Sequence, residues 1–321
     1  MKEKKLLLIV NPRAGKGRIR NHLLGIADLY AQSGYELQLS VTQAQGDTAA
    51  TVRRFGPGSA RIVCCGGDGT LSETISGILE LDKAPCLGYI PCGSTNDFAA
   101  TLCIPKRFLP AARIAIAGSE AYIDTGLLNG ARRFLYIAGF GAFTEVSYLT
   151  SQDWKNRLGH QAYILESLRS LAAIRSYHMV IEGSGPDGGK TLEGEFIFGM
   201  VTNSTSVAGI RGLAGSGVSL DDGLFEVLLV RMPRTPRDLS ELISGLLREE
   251  GNGMVHRLHA GTMRVRSTEA VDWVVDGEFG GNYREVFVEN MTKSLKICRK
   301  MPETAAKSKN YPKQVKKNVE I

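Results

Sequence analysis

The sequence lacks long apolar runs. None of its stretches approaches the roughly 18–20 residues that a membrane-spanning helix needs. The first apolar stretch, residues 6–10, is followed at once by charged residues and a glycine loop, which favours a strand over the core of a secretion signal. We therefore expect a cytoplasmic protein that does not span the membrane.

Several familiar signatures of nucleotide and metal sites are also missing. No GxxxxGKS/T run occurs, which excludes a P-loop, and no GxGxxG follows a predicted strand, so a Rossmann dinucleotide site is unsupported. No Ser/His/Asp arrangement or zinc-type pattern is visible. The six cysteines form no CxxC pair, and we expect them to be reduced thiols.

Charge is unevenly distributed. The net charge is +6, but most of it lies in the last two dozen residues, so the body of the chain has no excess that would indicate nucleic-acid binding. The basic segment 301–321 is predicted to be a flexible tail. It would either attract anionic lipid headgroups or serve only as a solvated end.

The stretch around which the chain is organised is the run from Cys64 to Glu73. Residues 61–65 are predicted to be a buried strand, and Leu71 and Ile75 begin the apolar face of a helix. The three glycines between them allow close approach of a ligand, and the N–H groups of such a turn suit a phosphate. Asp68 fits if Mg²⁺ stands between it and the phosphate, if it bonds a ribose hydroxyl, or if it orients a lysine. The alternative is a tight turn whose aspartate caps the helix.

Two more polar loops follow predicted strands. Residues 11–18 follow strand 5–10, and residues 91–97 follow a strand that ends at residue 90. Strands alternating with helices predict a parallel sheet, in which ligands bind beyond the carboxyl ends of the strands. The three loops are therefore predicted to meet at one edge and form one site.

The pattern changes after residue 126, where most of the remaining segments are predicted to be strands. We predict an α/β fold in which residues 1–126 form a parallel-sheet nucleotide-binding domain and residues 127–290 form a β-rich, sandwich-like substrate domain. Residues 291–300 would return to the first domain. One amphipathic helix is predicted for residues 157–174, and the cleft between the domains is the expected active site.

Two acidic loops occur in the second half. Residues 219–224 pair Asp221 and Asp222 with a glycine, which suits a hard cation or simply a hairpin turn. Residues 275–281 contain Asp276, Gly277 and Glu278. Asp-Gly is again a hairpin signal, but Glu278 in a glycine-rich loop could act as a general base toward a hydroxyl.

Taken together, the motifs resemble those of the diacylglycerol kinase catalytic-domain superfamily. The resemblance is carried by the GGDGT run at 66–70, by Asn11-Pro12 and Gly15-Lys16, by the PCGSTNDF run at 91–98 and by the two acidic loops in the same order. The 91–98 run resembles the soluble bacterial lipid kinases in particular. GGDGT alone also occurs in NAD kinases and 6-phosphofructokinases.

The resemblance implies an ATP-dependent lipid kinase with Mg²⁺, and it assigns roles to residues. Glu278 would take the proton from the lipid hydroxyl, Asp68 would act on the nucleotide side, and Lys16 and Asp124 would form a supporting charged network. Ser219, Asp222 and Leu224 would surround a structural Mg²⁺, the first and last through backbone carbonyls. The remaining implied residues line the ATP site: Asn11, Pro12, Arg13, Ala14, Gly15, Thr42, Gly66, Gly67, Gly69, Thr70, Leu71, Ser72, Glu73, Thr95, Asn96 and Asp97.

The resemblance further implies a membrane lipid as acceptor, most simply diacylglycerol, and hence peripheral contact with the inner face of the membrane. Apolar residues near Trp154 and the basic tail are candidates for that contact, and a homodimer is compatible with this reading. Two alternatives remain open at this point. The chain could phosphorylate a soluble acceptor such as NAD, or it could be a non-catalytic nucleotide-binding regulator.

Overall fold

The structure is a computed structural model that describes residues 4–141, 174–186, 188–207, 210, 211, 213, 215, 217–248 and 251–300. Most of the helix predicted for 157–174, the candidate contact at Trp154 and the basic tail 301–321 lie outside the described residues. No helix of the described segments has both the length and the apolar character required to cross a bilayer.

The first part of the chain alternates strands with helices. A 3₁₀ segment at Ala14–His22 precedes the first α-helix. The strands are β1 Lys4–Val10, β2 Tyr35–Val41, β3 Arg61–Gly66 and β4 Cys86–Pro91. The helices are α1 Leu23–Gln32, α2 Asp47–Phe55, α3 Asp68–Ile78, α4 Asp97–Thr101 and α5 Phe108–Ala117.

These four strands pair in parallel, in the order β4, β3, β1, β2. β3 and β4 are buried along their whole length, as expected for central strands covered by helices on both faces. Because the strands run the same way, the loops that follow them all lie at one edge. We call it the carboxyl edge of the sheet.

From residue 119 onward the chain is mainly antiparallel strand. The strands are β5 Ser119–Leu128, β6 Arg132–Phe134, β7 Ile137–Gly141, β8 Tyr177–Gly185, β9 Gly188–Thr202, β10 Ser206–Val207, β11 Ile210–Arg211, β12 Phe225–Arg231, β13 Val255–Ala260, β14 Thr262–Val275 and β15 Glu278–Arg299. One helix, α6 Pro236–Leu247, interrupts them. It begins with a capping box between Thr235 and Asp238, and Pro236 stands in its first turn, where the missing N–H costs no hydrogen bond.

The long strand β15 joins the two kinds of pairing. It pairs antiparallel with β14 and β5, and near its end Ile297 pairs in parallel with Leu87 of β4. Thirteen strands of the described segments thereby share one continuous sheet. The predicted mixed α/β fold class is confirmed, and most strand pairings in this sheet are antiparallel.

Parts of the second half could not be read from its local pattern. β14 runs unbroken through Ser267, Thr268 and Glu269, because a shift of register between Arg266 and Val271 lets its pairing with β15 continue. The strands β5 and β13 were not predicted.

Two clusters of buried side chains hold the fold together. One combines β1, β3 and β4 with α1, α3 and α5 and reaches α6. The other lies within the antiparallel part around Trp273, Phe140 and Phe196. The carboxyl edge of the parallel strands and the β14–β15 turn are therefore both anchored to packed cores. Residues that lie at the edge and in the turn can be held in fixed positions relative to each other.

Candidate functional site

The three glycine-bearing loops predicted to form one site are bonded to one another. The backbone N–H of Asn11 donates to the carbonyl of Cys65 at 2.9 Å, and that of Cys92 donates to the carbonyl of Gly66 at 2.7 Å. The side-chain amide of Asn11 donates to the hydroxyl of Thr70 at 2.9 Å. Loop residues that are far apart in sequence thus meet at the carboxyl edge.

Glycine is required where these loops touch. Gly15 has φ +55°, and a Cβ there would lie 1.9 Å from the carbonyl oxygen of Cys92. A Cβ on Gly93 would lie 2.7 Å from Cα of Gly67. Only residues without side chains let the backbones approach this closely, and this leaves backbone N–H groups around an open space.

That space is a cleft of about 420 Å³. Ten of the residues predicted for the site line it: Asn11, Arg13, Ala14, Gly15, Thr42, Gly67, Gly69, Thr70, Glu73 and Glu278. Six more residues line it that were not assigned a role by number: Gln43, Ala44, Gln45 and Thr48, together with Gly93 and Ser94 of the predicted 91–97 loop. The first four follow β2, so the rule that sites form beyond the ends of parallel strands could have found them.

Glu278 reaches the cleft from the β14–β15 turn. The side-chain amide of Gln45 donates to Oε2 of Glu278 at 3.3 Å. A Cβ on Gly69 would lie 3.3 Å from Oε1 of Glu278, so this carboxylate stands directly over the start of α3. Nη2 of Arg132 is 4.0 Å from Oε2. The side chain remains 44% exposed and is open to an incoming molecule.

Asp276 holds this turn in place. Its buried carboxylate accepts hydrogen bonds from the hydroxyl of Ser72 at 2.8 Å and from the backbone N–H groups of Leu135, Tyr136 and Ile137 at 2.8, 3.0 and 3.2 Å. Burial raises the pKa of Asp276, and the four hydrogen bonds oppose that shift. The contact joins α3 to the antiparallel part of the sheet and fixes the backbone two residues before Glu278.

Asp68 is the most unusual carboxylate of the site. Its Oδ2 accepts from the N–H of Asp97 at 3.3 Å, while its Oδ1 is buried with no hydrogen-bond partner among the described residues. Burial raises the pKa of Asp68 to about 6. An unpartnered buried carboxylate oxygen beside glycine loops is the kind of donor that a hard cation such as Mg²⁺ takes, so the residues fit that ion.

The loop after β4 is held largely by its own side chains. Asn96 accepts from the N–H of Gly93 at 2.8 Å and donates to the carbonyl of Gly93 at 2.7 Å. Asp97 accepts from the hydroxyl of Ser206 at 2.7 Å. These two predicted ATP-site residues therefore shape the loop, while Thr95 is exposed beside them.

The other predicted ATP-site residues take different positions around the cleft. Leu71 is fully buried in the core, and Ser72 bonds Asp276. Glu73 accepts from the N–H of Gly46 at 3.0 Å and ties α3 to the loop after β2. Lys16 is exposed with φ +64°. Pro12, in the loop after β1, and Gly66, the last residue of β3, do not line the cleft.

Asp124 lies next to the second acidic loop. Its buried carboxylate accepts from the N–H of Gly223 and from that of Lys293, both at 2.7 Å. Among the residues that the structure describes, no ion pair joins it to Lys16. Asp124 thus bonds the backbone of two segments, and a charged network that includes Lys16 stays a prediction.

The 219–224 loop contains side-chain and carbonyl oxygens that could act as metal ligands. Oδ1 of Asp222 accepts from the N–H of Leu224 at 3.0 Å, and the hydroxyl of Ser219 donates to Asp221 at 3.2 Å. Asp222 is exposed. No group of three or more His, Cys, Asp or Glu side chains suited to a metal occurs within the described segments. A Mg²⁺ site at Ser219, Asp222 and Leu224, built mainly from carbonyl oxygens, stays a prediction.

Comparison with known proteins places this architecture in a family. Residues 5–128 match the model of the diacylglycerol kinase catalytic domain. The chain is 34% identical over 293 residues to a diacylglycerol kinase of Bacillus subtilis, a match that spans 89% of this chain and 93% of the relative. It is 30% identical over 299 residues to a diacylglycerol kinase of Staphylococcus carnosus, which spans 92% and 94%.

The fold is shared as well. A crystal structure of a diacylglycerol kinase from Bacillus anthracis superposes with a TM-score of 0.72 over 93% of this chain and 98% of that one, at 24% identity. The matches to the sequence relatives span nearly the whole chain, the parallel and the antiparallel part alike. The chain therefore belongs to the diacylglycerol kinase family of lipid kinases, phosphotransferases that act on an alcohol group.

Proposed function

We propose that the chain transfers the γ-phosphoryl group of ATP to the hydroxyl of diacylglycerol, with Mg²⁺ as the metal. The observation that carries the proposal is the cleft itself. It unites the phosphate-suited loops around Gly15, Gly67 and Gly93 with the carboxylate of Glu278. Phosphoryl transfer depends mainly on positioning and charge balance, and this arrangement supplies both.

On the nucleotide side, the loop N–H groups and the hydroxyl of Thr70 would bind the phosphates, with Arg13 exposed at the rim. Mg²⁺, where bound, would neutralise charge that develops on the phosphates, and the free Oδ1 of Asp68 is the oxygen we assign to hold it. Asn96 would act indirectly by keeping the Gly93 loop in shape.

On the acceptor side, Glu278 would accept the proton of the lipid hydroxyl as the oxygen attacks phosphorus. Its position is set by the turn that Asp276 anchors, and Gln45 orients one of its oxygens. In this scheme residues 1–126 contribute the nucleotide site, and residues 127–290 contribute the base and the lipid site. A lipid with two acyl chains stays in its bilayer, so the protein would meet it at the membrane surface.

The test is incubation of the purified protein with labelled ATP, Mg²⁺ and a panel of acceptors. The panel contains micellar diacylglycerol, phosphatidylglycerol, undecaprenol and sphingosine, together with NAD in solution. We expect label in the organic phase that migrates as phosphatidic acid, and its loss in Glu278→Gln. Label on another lipid would correct the acceptor, label on NAD would replace the proposal by a soluble kinase, and ATP binding without transfer would indicate a regulator.

A further inference from the structure

One tyrosine next to the site is held firmly by its backbone. Tyr136 lies in the short link between β6 and β7, and its N–H donates to Oδ1 of Asp276 at 3.0 Å. Its carbonyl accepts from the hydroxyl of Thr202 at 2.5 Å and from the N–H of Asn203 at 3.1 Å. Because the main chain is bonded on both sides, the starting point of the tyrosine side chain is fixed relative to the β14–β15 turn.

The side chain of Tyr136 extends toward that turn. A Cβ on Gly277 would lie 3.7 Å from the hydroxyl oxygen of Tyr136, so the phenol stands beside the residue that precedes the proposed base. The ring packs against that of Phe98, with centroids 6.5 Å apart and planes inclined by 30°. Phe98 follows Asp97, whose N–H bonds Asp68. The phenol therefore lies between the nucleotide-side carboxylate and the turn that carries the base.

The hydroxyl of Tyr136 is unused. It has no hydrogen-bond partner among the described residues, although the side chain is only 7% exposed. Its oxygen is not one of the fully enclosed polar atoms, so the small exposed area includes the hydroxyl. Tyr136 does not line the nucleotide cleft. A fixed ring whose free hydroxyl opens beside the base turn, and outside the nucleotide cleft, is placed to meet the acceptor.

The charges around this hydroxyl decide which role it can take. Burial raises the pKa of Tyr136, and three nearby carboxylates raise it further: Asp276, Asp68 and Asp97. The phenol therefore keeps its O–H and can donate a hydrogen bond, whereas ionised carboxylates can only accept one. Apart from the hydroxyl that is phosphorylated, a diacylglycerol presents ester carbonyls, and these also only accept. Tyr136 thus supplies a donor that the carboxylates around it cannot.

We propose that Tyr136 determines acceptor specificity, and that its hydroxyl donates a hydrogen bond to the ester carbonyl next to the reacting hydroxyl of diacylglycerol. The inference rests on the proposed function, since it concerns the acceptor of that reaction. Glu278 and Tyr136 then contact two adjacent groups of one glycerol unit. Two such contacts orient the hydroxyl for attack, which one contact alone does not.

The experiment compares dioctanoylglycerol with the dioctyl ether of glycerol, which has the same hydroxyl but no carbonyl. For each acceptor, kcat/KM is measured with ATP and Mg²⁺ in the same detergent micelles, and binding without ATP is measured by calorimetry. Tyr136→Phe keeps the ring and removes the donor. The matched control is Tyr283→Phe, which removes a hydroxyl close to the same turn that bonds the carbonyl of Gly280 at 3.3 Å.

We expect wild type and control to prefer the ester about 5- to 10-fold, in kcat/KM and in affinity, as one hydrogen bond would give. Tyr136→Phe should lose this preference by weakening the ester alone. Its urea denaturation should match that of wild type, because the hydroxyl has no protein partner to lose. No preference in wild type, a preference that survives Tyr136→Phe, an equal loss on both acceptors, or the same loss in Tyr283→Phe would overturn the inference.

The two proposals fail in different ways. Transfer to both acceptors without any dependence on Tyr136 leaves the proposed function intact and overturns the ester contact. Tighter binding of the ester that depends on Tyr136, with no transfer of label to either acceptor, leaves the ester contact intact and overturns the proposed function. Neither binding nor transfer would overturn both.

Discussion

The two acidic loops of the antiparallel part look alike in sequence and differ in their surroundings. Each has an Asp-Gly pair next to a strand end. Asp276 is 4% exposed and accepts four hydrogen bonds from residues at least 139 positions away. Asp222 is exposed, and the hydrogen bond it accepts comes from Leu224 in its own loop.

This difference separates two uses of a carboxylate. Donors from distant segments make Asp276 part of the tertiary structure, and its four hydrogen bonds offset part of the cost of burying its carboxylate. Asp222 keeps an oxygen that faces solvent and can accept a ligand from outside. The residue pair alone predicts a turn in both cases, and the long-range donors decide which loop positions the site and which could receive an ion.

The largest effect should come from Asp276→Ala. It leaves three backbone N–H groups and the hydroxyl of Ser72 without their acceptor in a buried place, and we expect a loss of about 3–5 kcal/mol in the free energy of unfolding. Urea denaturation measures it. Asp222→Ala is the matched control and should cost under about 1 kcal/mol because the side chain is exposed. Equal losses in the two variants would contradict the comparison.

Glu278→Gln should separate positioning from chemistry. The side chain is 44% exposed, so stability should be unchanged, whereas turnover should fall ~10²–10⁴-fold because the amide cannot take a proton. ATP binding, measured by calorimetry, should be retained. Turnover close to that of wild type would show that Glu278 is not the general base. A large loss of stability would show that Glu278, like Asp276, holds the fold together.

Asp68 combines features of Asp276 and Asp222. One of its carboxylate oxygens accepts a hydrogen bond, and the other is buried without a partner among the described residues. Burial raises its pKa from 3.8 to about 6 in the folded protein, so the folded state holds this proton more tightly than the unfolded state does. Stability from this group is therefore full below about pH 4 and falls as the pH rises through about 6, by up to about 3 kcal/mol.

Metal-free denaturation curves at several pH values check this. Asp68→Asn cannot ionise, so its stability relative to wild type should rise between about pH 4 and 6 and then stay constant. A constant difference across that range would mean that Asp68 carries its charge at no cost. Oδ1 of Asp68 would then have an unrecognised hydrogen-bond partner, and the argument that it binds a cation would fail.

The site could be anticipated from sequence to the extent that it depends on strand ends. The alternation of strands and helices predicted that the loops containing Asn11, Gly67 and Gly93 would meet, and hydrogen bonds join these loops in the structure. The loop after β2 follows the same rule but has no glycine run or acidic pair to mark it. Gln45, which contacts Glu278, was missed for that reason.

Other features depend on pairing that local pattern does not encode. The strand β5 is stabilised by β15, far along the chain, and β13 pairs with β12 across the intervening helix α6. β14 continues through polar residues because a shift of register lets it go on pairing with β15. The four donors to Asp276 come from two separate segments, so no window of sequence contains the evidence that this carboxylate is structural. The resemblance of motifs predicted the order of the two acidic loops along the chain. The hydrogen bonds show which carboxylate is structural and which is open to a ligand.

The smallest effect concerns the loop that stays open. If Ser219, Asp222 and Leu224 bind Mg²⁺, adding the ion at about ten times its dissociation constant should stabilise wild type by about 1.4 kcal/mol. That corresponds to a rise in melting temperature of about 2 °C for a chain of 321 residues. The rise should disappear in Asp222→Asn and persist in Asp221→Asn, because Asp221 bonds Ser219 and is not in the predicted ligand set.

A rise that survives Asp222→Asn would place the ion elsewhere, with Asp68 as the next residue to replace. If the melting temperature of wild type does not rise, the 219–224 loop is a simple turn. Asp222 and Asp276 would then differ only in how deeply they are buried.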